Sequence, residues 1–246
     1  MVTILKLGGS VITDKDEPET VDRAALETAA AAIRVFLGDG DQLVVVHGGG
    51  SFGHHHAAHH GVSSTEGSHD VVGLVEIHRA MGTLTDAVLD TFHDHSVDAL
   101  PVRPLSVATK SHDGSVEFPT GQIRNMLEEG FTPVVNGDVV AHAGKGATVL
   151  SGDTIVVSLA RSLGADRVGL CSTVPGVLDE TETVIPEISA YSDVADVLGE
   201  SESTDVTGGM AGKVRQLLEL DAPAAVFDLD SLGSFLNTGS AGTVVR

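Results

Sequence analysis

The chain has 246 residues, 41% of them hydrophobic, enough to bury a sizeable core. Acidic residues number 35 against 14 basic ones, and the formal charge of −21 excludes nucleic acid and anionic membrane surfaces as partners. The acid excess runs along the whole chain and lysine occurs at only five positions, as suits a halophilic protein in a salt-rich cytoplasm, where ~1 M salt shortens the Debye length to about 3 Å.

The elements alternate between short apolar runs and helical patterns, which predicts an α/β fold around a mainly parallel sheet. Val2 to Leu7 reads as a strand, followed by an Ala-rich helix from Val21 to Leu37 that stops at Gly38. Gln42 to Val46 is the next strand. Asp70 is the expected N-cap of a long helix, whose apolar residues Leu74, Ile77, Met81, Leu84, Val88 and Phe92 recur at the spacing of one buried stripe. Ser106 to Lys110 and Ser115 to Phe118 read as a hairpin across His112-Asp113-Gly114, and Thr120 caps a short helix running to Glu129.

A strand from Thr132 to Asn136 leads into Gly137-Asp138. Val139 to His142 and Ala147 to Leu150 flank Gly144-Lys145-Gly146 as a second hairpin. Ser151 caps a helix to about Leu163, and Asp166 to Ser172 is a strand that ends in a turn. Residues 179–207 read as acidic and irregular, with room for one helix. Gly208 to Leu220 is a helix opened by two glycines, and Ala224 to Phe227 and Gly242 to Val245 close the sheet. A soft boundary near residue 135 divides an N-terminal lobe (1–135) from a C-terminal lobe (136–246).

Cys171 is the single cysteine, so no intrachain disulfide forms. The chain starts directly in a strand, without a charged and apolar leader, and no apolar run approaches the ~20 residues that span a bilayer. A soluble cytoplasmic protein with no membrane partner is expected.

The chemistry concentrates in the glycine loops. His47-Gly48-Gly49-Gly50-Ser51-Phe52-Gly53-His54 follows the buried run Leu43-Val44-Val45-Val46. A loop without side-chain bulk lets backbone N–H groups approach an anion, and His54 places an imidazole over it. A second loop, Gly8-Gly9-Ser10, follows Lys6, a charge at a strand end that needs a partner such as phosphate. Three of the five lysines, Lys6, Lys15 and Lys213, adjoin glycine-rich or turn segments, and Asp153 in Ser151-Gly152-Asp153-Thr154 is suited to hold them. Gly208-Gly209-Met210-Ala211-Gly212-Lys213 is a poor helix start unless an anion uses its N–H groups. His54, His55, His56, His59 and His60 contain pairs four residues apart, the spacing of a metal site on a helix. No carboxylate or cysteine is interleaved, so no metal site is assigned and the histidines after His54 are read as surface.

These loops, in this order, resemble the amino acid kinase superfamily, and the resemblance covers the whole chain. The Gly-Gly-Gly-Ser-Phe-Gly-His form is similar to the isopentenyl phosphate kinase group. The resemblance implies a three-layer αβα sandwich, a homodimer, ATP with Mg²⁺, and phosphoryl transfer to isopentenyl phosphate in an archaeal-type mevalonate route. It places Lys6, Gly8, Gly9, Ser10, Gly50, Thr173, Gly209 and Lys213 on ATP. It places Gly49, Gly50, His54, Gly137 and Gly152 on the acceptor. Lys15 would neutralise the group in transit, and Asp153 would orient the lysines. The competing readings are a kinase for another phosphate or phosphonate acceptor such as fosfomycin, and a non-catalytic nucleotide- or metal-binding member.

Overall fold

The computed structural model describes residues 1–38, 40–198 and 209–246. Its elements in chain order are β1 (Val2–Leu7), α1 (Gly9–Ile12), α2 (Arg23–Leu37), β2 (Gln42–His47), α3 (Gly50–His59), α4 (Val71–Asp94), β3 (Ala99–Val102), α5 (Pro104–Val107), β4 (Thr109–Lys110), β5 (Val116–Glu117) and α6 (Gly121–Glu128). There follow β6 (Thr132–Asn136), β7 (Asp138–His142), β8 (Gly146–Leu150), α7 (Gly152–Leu163), β9 (Arg167–Ser172), β10 (Glu187–Ile188), α8 (Ala195–Leu198), α9 (Gly209–Leu217), β11 (Ala224–Asp228), α10 (Leu232–Thr238) and β12 (Thr243–Val245).

Eight strands form one sheet in the order β10-β12-β11-β9-β1-β2-β6-β3. Its pairings are parallel except that of β11 with β12. The period-2 alternation of side chains splits the apolar strand residues between two cores. Ile4, Val44, Val46 and Leu170 pack with Ile155 and Leu159 of α7, Ile123 of α6 and Val214 of α9. Leu5, Leu7 and Val45 pack on the opposite face with Leu26 and Ile33 of α2, Leu84 and Phe92 of α4 and Phe235 of α10. The result is a three-layer αβα sandwich. The sheet is continuous across the boundary near residue 135, because β9 of the C-terminal part pairs with β1 and β6 itself contains that residue.

Several local signals act as their chemistry predicts. The Asp22, Asp70 and Ser151 side chains accept the backbone N–H groups of Ala25, Val72 and Thr154 and so start α2, α4 and α7. Ile77, Met81, Leu84, Val88 and Phe92 form the buried face of α4. β7 and β8 make the expected hairpin, which joins β4 and β5 in a separate four-stranded sheet.

Other segments differ. The hairpin expected from Ser106 to Phe118 shrinks to Thr109–Lys110 paired with Val116–Glu117, because Pro104 at a helix N-terminus turns residues 104–107 into α5. Thr120 precedes α6 without a capping hydrogen bond from its side chain. Ala99–Val102, not anticipated, is an edge strand, the one place where Pro101 can sit in a sheet without removing a needed donor. Leu232–Thr238, also unanticipated, is a short helix ended by Gly239 in the left-handed conformation. The segment expected to be irregular holds β10 and α8, while its part from 199 to 207 lies outside the described residues. Gly208 lies there too, so α9 is described from Gly209.

Candidate active site

The parallel register gathers four loops at one edge of the sheet. Leu7 pairs with His47 on one side and Cys171 on the other, and His47 pairs with Asn136. These four residues end, or nearly end, β1, β2, β9 and β6. The chain therefore leaves the sheet on one level at Gly8, Gly48, Gly137 and Thr173, at the carboxyl edge where open parallel sheets place their ligands.

Lys6 lies on the α7 side of the sheet, and its Nζ donates to Asp153 Oδ1 at 2.6 Å. Both side chains are nearly buried, at 10% and 6% exposure, so the ammonium needs this carboxylate. Asp153 stands in the first turn of α7, where an acidic group also suits the helix dipole. Gly152 lies against the Lys6 stem; a Cβ there would sit 3.2 Å from Lys6 Cε.

The two glycine loops touch backbone to backbone. A Cβ on Gly9 would lie 2.0 Å from the Gly50 nitrogen, and Gly50 itself has φ +47. The buried Thr13 joins them: its Oγ1 donates to the Gly9 carbonyl at 2.8 Å and accepts the Ser51 N–H at 3.0 Å. With Thr13 on the Ser51 amide, and the Gly49 carbonyl accepting the Phe52 and Gly53 N–H groups at 3.1 and 2.9 Å, the first turn of α3 is largely satisfied within the protein, and the bare loop before it faces the cavity.

A cavity of about 340 Å³ opens at this edge. Lys6, Lys15 and Lys213 reach it from three different segments, and His54 from α3. Gly8, Gly9, Ser10 and Gly49 form its glycine floor, and Gly137, Gly152, Asp153 and Thr173 line it from the remaining loops. Gly50 and Gly209 do not line it among the described residues; Gly50 supports Gly9, and Gly209 opens the helix that carries Lys213. One wall is apolar: Ala57 of α3, Ile77 and Met81 of α4, and Val149 of β8. Cys171 also borders the cavity, but burial first and Asp228 second push its pKa up to about 12, so it stays a thiol.

Two buried polar pairs escaped the sequence reading. His78 Nδ1 donates to Asp138 Oδ2 at 2.8 Å, and the Val139 N–H donates to Asp138 Oδ1 at 2.8 Å. Burial raises the Asp138 pKa, and His78 opposes the rise. His47 is fully buried between the Gly48 carbonyl (3.1 Å) and Thr85 Oγ1 (2.9 Å), and burial lowers its pKa to about 4. A neutral imidazole donates from Nδ1 to the Gly48 carbonyl, and its Nε2 then shares the single Thr85 hydroxyl proton with the Met81 carbonyl, 2.8 Å from the same Oγ1. His78 and Thr85 lie on α4, far along the chain from their partners. The buried polar position at Asp138, directly after the Asn136-Gly137 turn, was the one signal that sequence offered.

The arrangement suits an anionic transfer reaction. Three ammonium groups, an imidazole and two glycine loops surround a cavity with one apolar wall. Such a set stabilises phosphate groups and lacks the paired nucleophile and base of acyl transfer.

The chain belongs to the amino acid kinase family, whose model matches residues 1–220. Fold and family together define it as a phosphotransferase. It is 62% identical over 245 residues to the isopentenyl phosphate kinase of Haloferax volcanii, covering 100% of this chain and 98% of that protein. It is 32% identical to the isopentenyl phosphate kinase of Methanocaldococcus jannaschii, covering 93% and 91%. An X-ray structure of an isopentenyl phosphate kinase superposes over 100% of both chains with a TM-score of 0.86 at 27% identity. The product complex of the Thermoplasma acidophilum isopentenyl phosphate kinase matches with a TM-score of 0.79 at 25% identity.

Proposed function

We infer that this protein transfers the γ-phosphoryl group of ATP to isopentenyl phosphate, giving isopentenyl diphosphate and ADP in an archaeal-type mevalonate route. The observation that carries the reading is the convergence of Lys6, Lys15, Lys213 and His54 on one cavity with an apolar wall.

The attacking atom is an acceptor phosphate oxygen. It forms a new bond to the γ-phosphorus as the bond from that phosphorus to the β–γ bridging oxygen breaks. Both reactants are anions that repel each other, so the protein must align them and supply positive charge. Lys6, Gly8, Gly9, Ser10, Thr173, Gly209 and Lys213 hold the nucleotide. His54, Gly49, Gly137 and Gly152 hold the acceptor phosphate, and Gly50 serves both sides of the junction. Lys15 neutralises the moving group, and Asp153 aims Lys6. The hydrocarbon tail lies along Ile77 and Met81. The nucleophile is already anionic, so no strong general base is required.

Mg²⁺ accompanies ATP in this reading and supplies charge at the β- and γ-phosphates. Asp153 and Asp138 already face Lys6 and His78, so phosphate oxygens and water are its expected ligands. Residues 1–135 carry His54 and Gly49 on the acceptor side together with Lys6, Gly8, Gly9 and Ser10 on the nucleotide, and 136–246 add Thr173, Gly209 and Lys213 to the nucleotide side and Gly137 and Gly152 to the acceptor. The protein is a homodimer; exposed Leu100 on edge strand β3, with Leu105 and Val107 a few residues on and Phe131 just before the paired strand β6, supports a covered face. Among the described residues no helix is long and apolar enough to cross a membrane. The charge of −21 supports work in a salt-rich cytoplasm.

The test is an ADP-release assay in molar KCl with isopentenyl phosphate, longer prenyl monophosphates and fosfomycin. Turnover of isopentenyl phosphate is expected. Turnover of fosfomycin alone, or of no acceptor, would overturn the reading.

A further inference from the structure

The histidines of α3 acquire in the fold what they lack in sequence. His56 and His60 lie one turn apart, His60 being the residue that ends α3, and α4 brings Glu76 against them. One ligand atom from each of the three lies within 4.8 Å of the others. His60 Nε2 is 2.7 Å from Glu76 Oε2, and His60 Nδ1 is 3.9 Å from Asp70 Oδ2. His56 Nε2 contacts Glu19 Oε1. The two imidazoles are only 22% and 14% exposed. Gly73 of α4 makes room for the second ring, since a Cβ there would lie 2.6 Å from His60 Cγ. The rings are thus seated between two helices, with a carboxylate facing them.

We propose that His56, His60 and Glu76 bind one divalent transition-metal ion of the zinc class, which braces α3 against α4. Two imidazole nitrogens and a carboxylate oxygen form a donor set suited to Zn²⁺, Co²⁺ or Ni²⁺, whereas Mg²⁺ and Ca²⁺ prefer oxygen throughout. Donors already gathered within this span reach the ~2.0–2.2 Å ligand distances of zinc by side-chain rotation. Glu19 beside His56 is the nearest further oxygen, and Asp70 can hold the other nitrogen of the His60 ring, as carboxylates do around metal-bound imidazoles. The ion lies apart from the phosphate cavity, since none of these residues lines it. It would nonetheless join three segments that serve the cavity: the loop of Lys15 through Glu19, the helix of His54, and the helix of Ile77 and Met81.

The test uses the full, untagged chain, stripped with chelator and titrated with ZnCl₂, and separately with CoCl₂ to record the visible bands of a low-symmetry cobalt site. One ion per chain and a rise in melting temperature are expected. His56→Ala/His60→Ala should weaken zinc binding by about 100-fold or more and leave phosphotransfer within about twofold of the unsubstituted protein. His55→Ala/His59→Ala should bind zinc as the unsubstituted protein does. Glu76→Gln should weaken zinc binding without altering the melting temperature of the metal-free protein by more than a few degrees. Absence of binding below millimolar zinc, equal loss in both histidine pairs, or retention in His56→Ala/His60→Ala would overturn the proposal.

Discussion

Thr13 Oγ1 donates to the Gly9 carbonyl at 2.8 Å, and the same hydroxyl accepts the Ser51 amide at 3.0 Å. One side chain therefore holds the loop after β1 to the start of α3. Thr13→Val keeps the shape and leaves both backbone groups without this partner. It should lower stability by about 2 kcal/mol and kcat by roughly tenfold or more, while Thr13→Ser should recover most of both. Denaturant unfolding and steady-state kinetics check this; an unaltered kcat would mean that the clamp has no role in alignment.

Gly9 offers a harsher test of the same junction. The 2.0 Å approach of its Cβ position to the Gly50 nitrogen leaves no side chain to rotate away, because the obstacle is backbone. Gly9→Ala should separate the loops and reduce kcat/KM by ~100-fold or more for both ATP and acceptor, since an ångström of misplacement is enough for that loss. Gly121→Ala, at the first residue of α6 with nothing within 4 Å of the added Cβ, is the control for a glycine substitution remote from the site.

The Lys6–Asp153 pair predicts coupled energetics. Lys6→Met leaves a carboxylate nearly buried, and Asp153→Asn leaves an ammonium so, each destabilising by roughly 3 kcal/mol. The double variant should cost clearly less than the sum, because neither charge remains stranded. Each single variant should lose ~10²–10³ in kcat. Strict additivity of the two stability losses would argue against a functional pair.

His54→Ala should reduce turnover by about 10²–10³, with the loss concentrated on the acceptor side. The ATP KM should stay within about threefold. Lys15→Ala should lose kcat to a similar degree without a large change in either KM. Product formation at the unsubstituted rate in His54→Ala would remove the assignment of that imidazole to the acceptor phosphate.

His47 predicts how stability follows pH. Folded, it takes a proton only near pH 4, whereas an unfolded histidine does so near 6.5. Between those values the unfolded chain binds the additional proton, so its contribution to stability is complete above about pH 6.5 and lost as pH falls to about 4. At ~1.4 kcal/mol for each pH unit, the loss comes to roughly 3 kcal/mol. His47→Gln should be less stable at pH 7 and should show a shallower decline on acidification. Denaturant unfolding at constant salt between pH 4 and 8 measures both, and parallel curves for the two proteins would refute the assignment.

Most of the architecture was legible because its signals are local. The Ile4–Lys6 and Leu5–Leu7 alternation, the stripe from Ile77 to Phe92, and the caps at Asp70 and Ser151 act over a few residues. Where the reading failed, competing local preferences were close. Pro101 obscured β3, Pro104 favoured a helical turn over a strand, and α10 is too short to show periodicity.

By itself the sequence determined most of the strands and helices, where glycines free the backbone, and which lysines and histidine adjoin glycine-rich or turn segments. Side-chain sterics and hydrogen bonds between near neighbours decide those features. Tertiary structure alone decided that Asp153 meets Lys6, that His78 holds Asp138, that Thr13 clamps two loops, and that Glu76 faces His56 and His60. Apart from the local Thr13–Gly9 bond, those pairings span from 16 to 147 residues of chain. They exist because the parallel register levels the strand ends and the buried helix faces set the neighbours, both properties of the packed core as a whole.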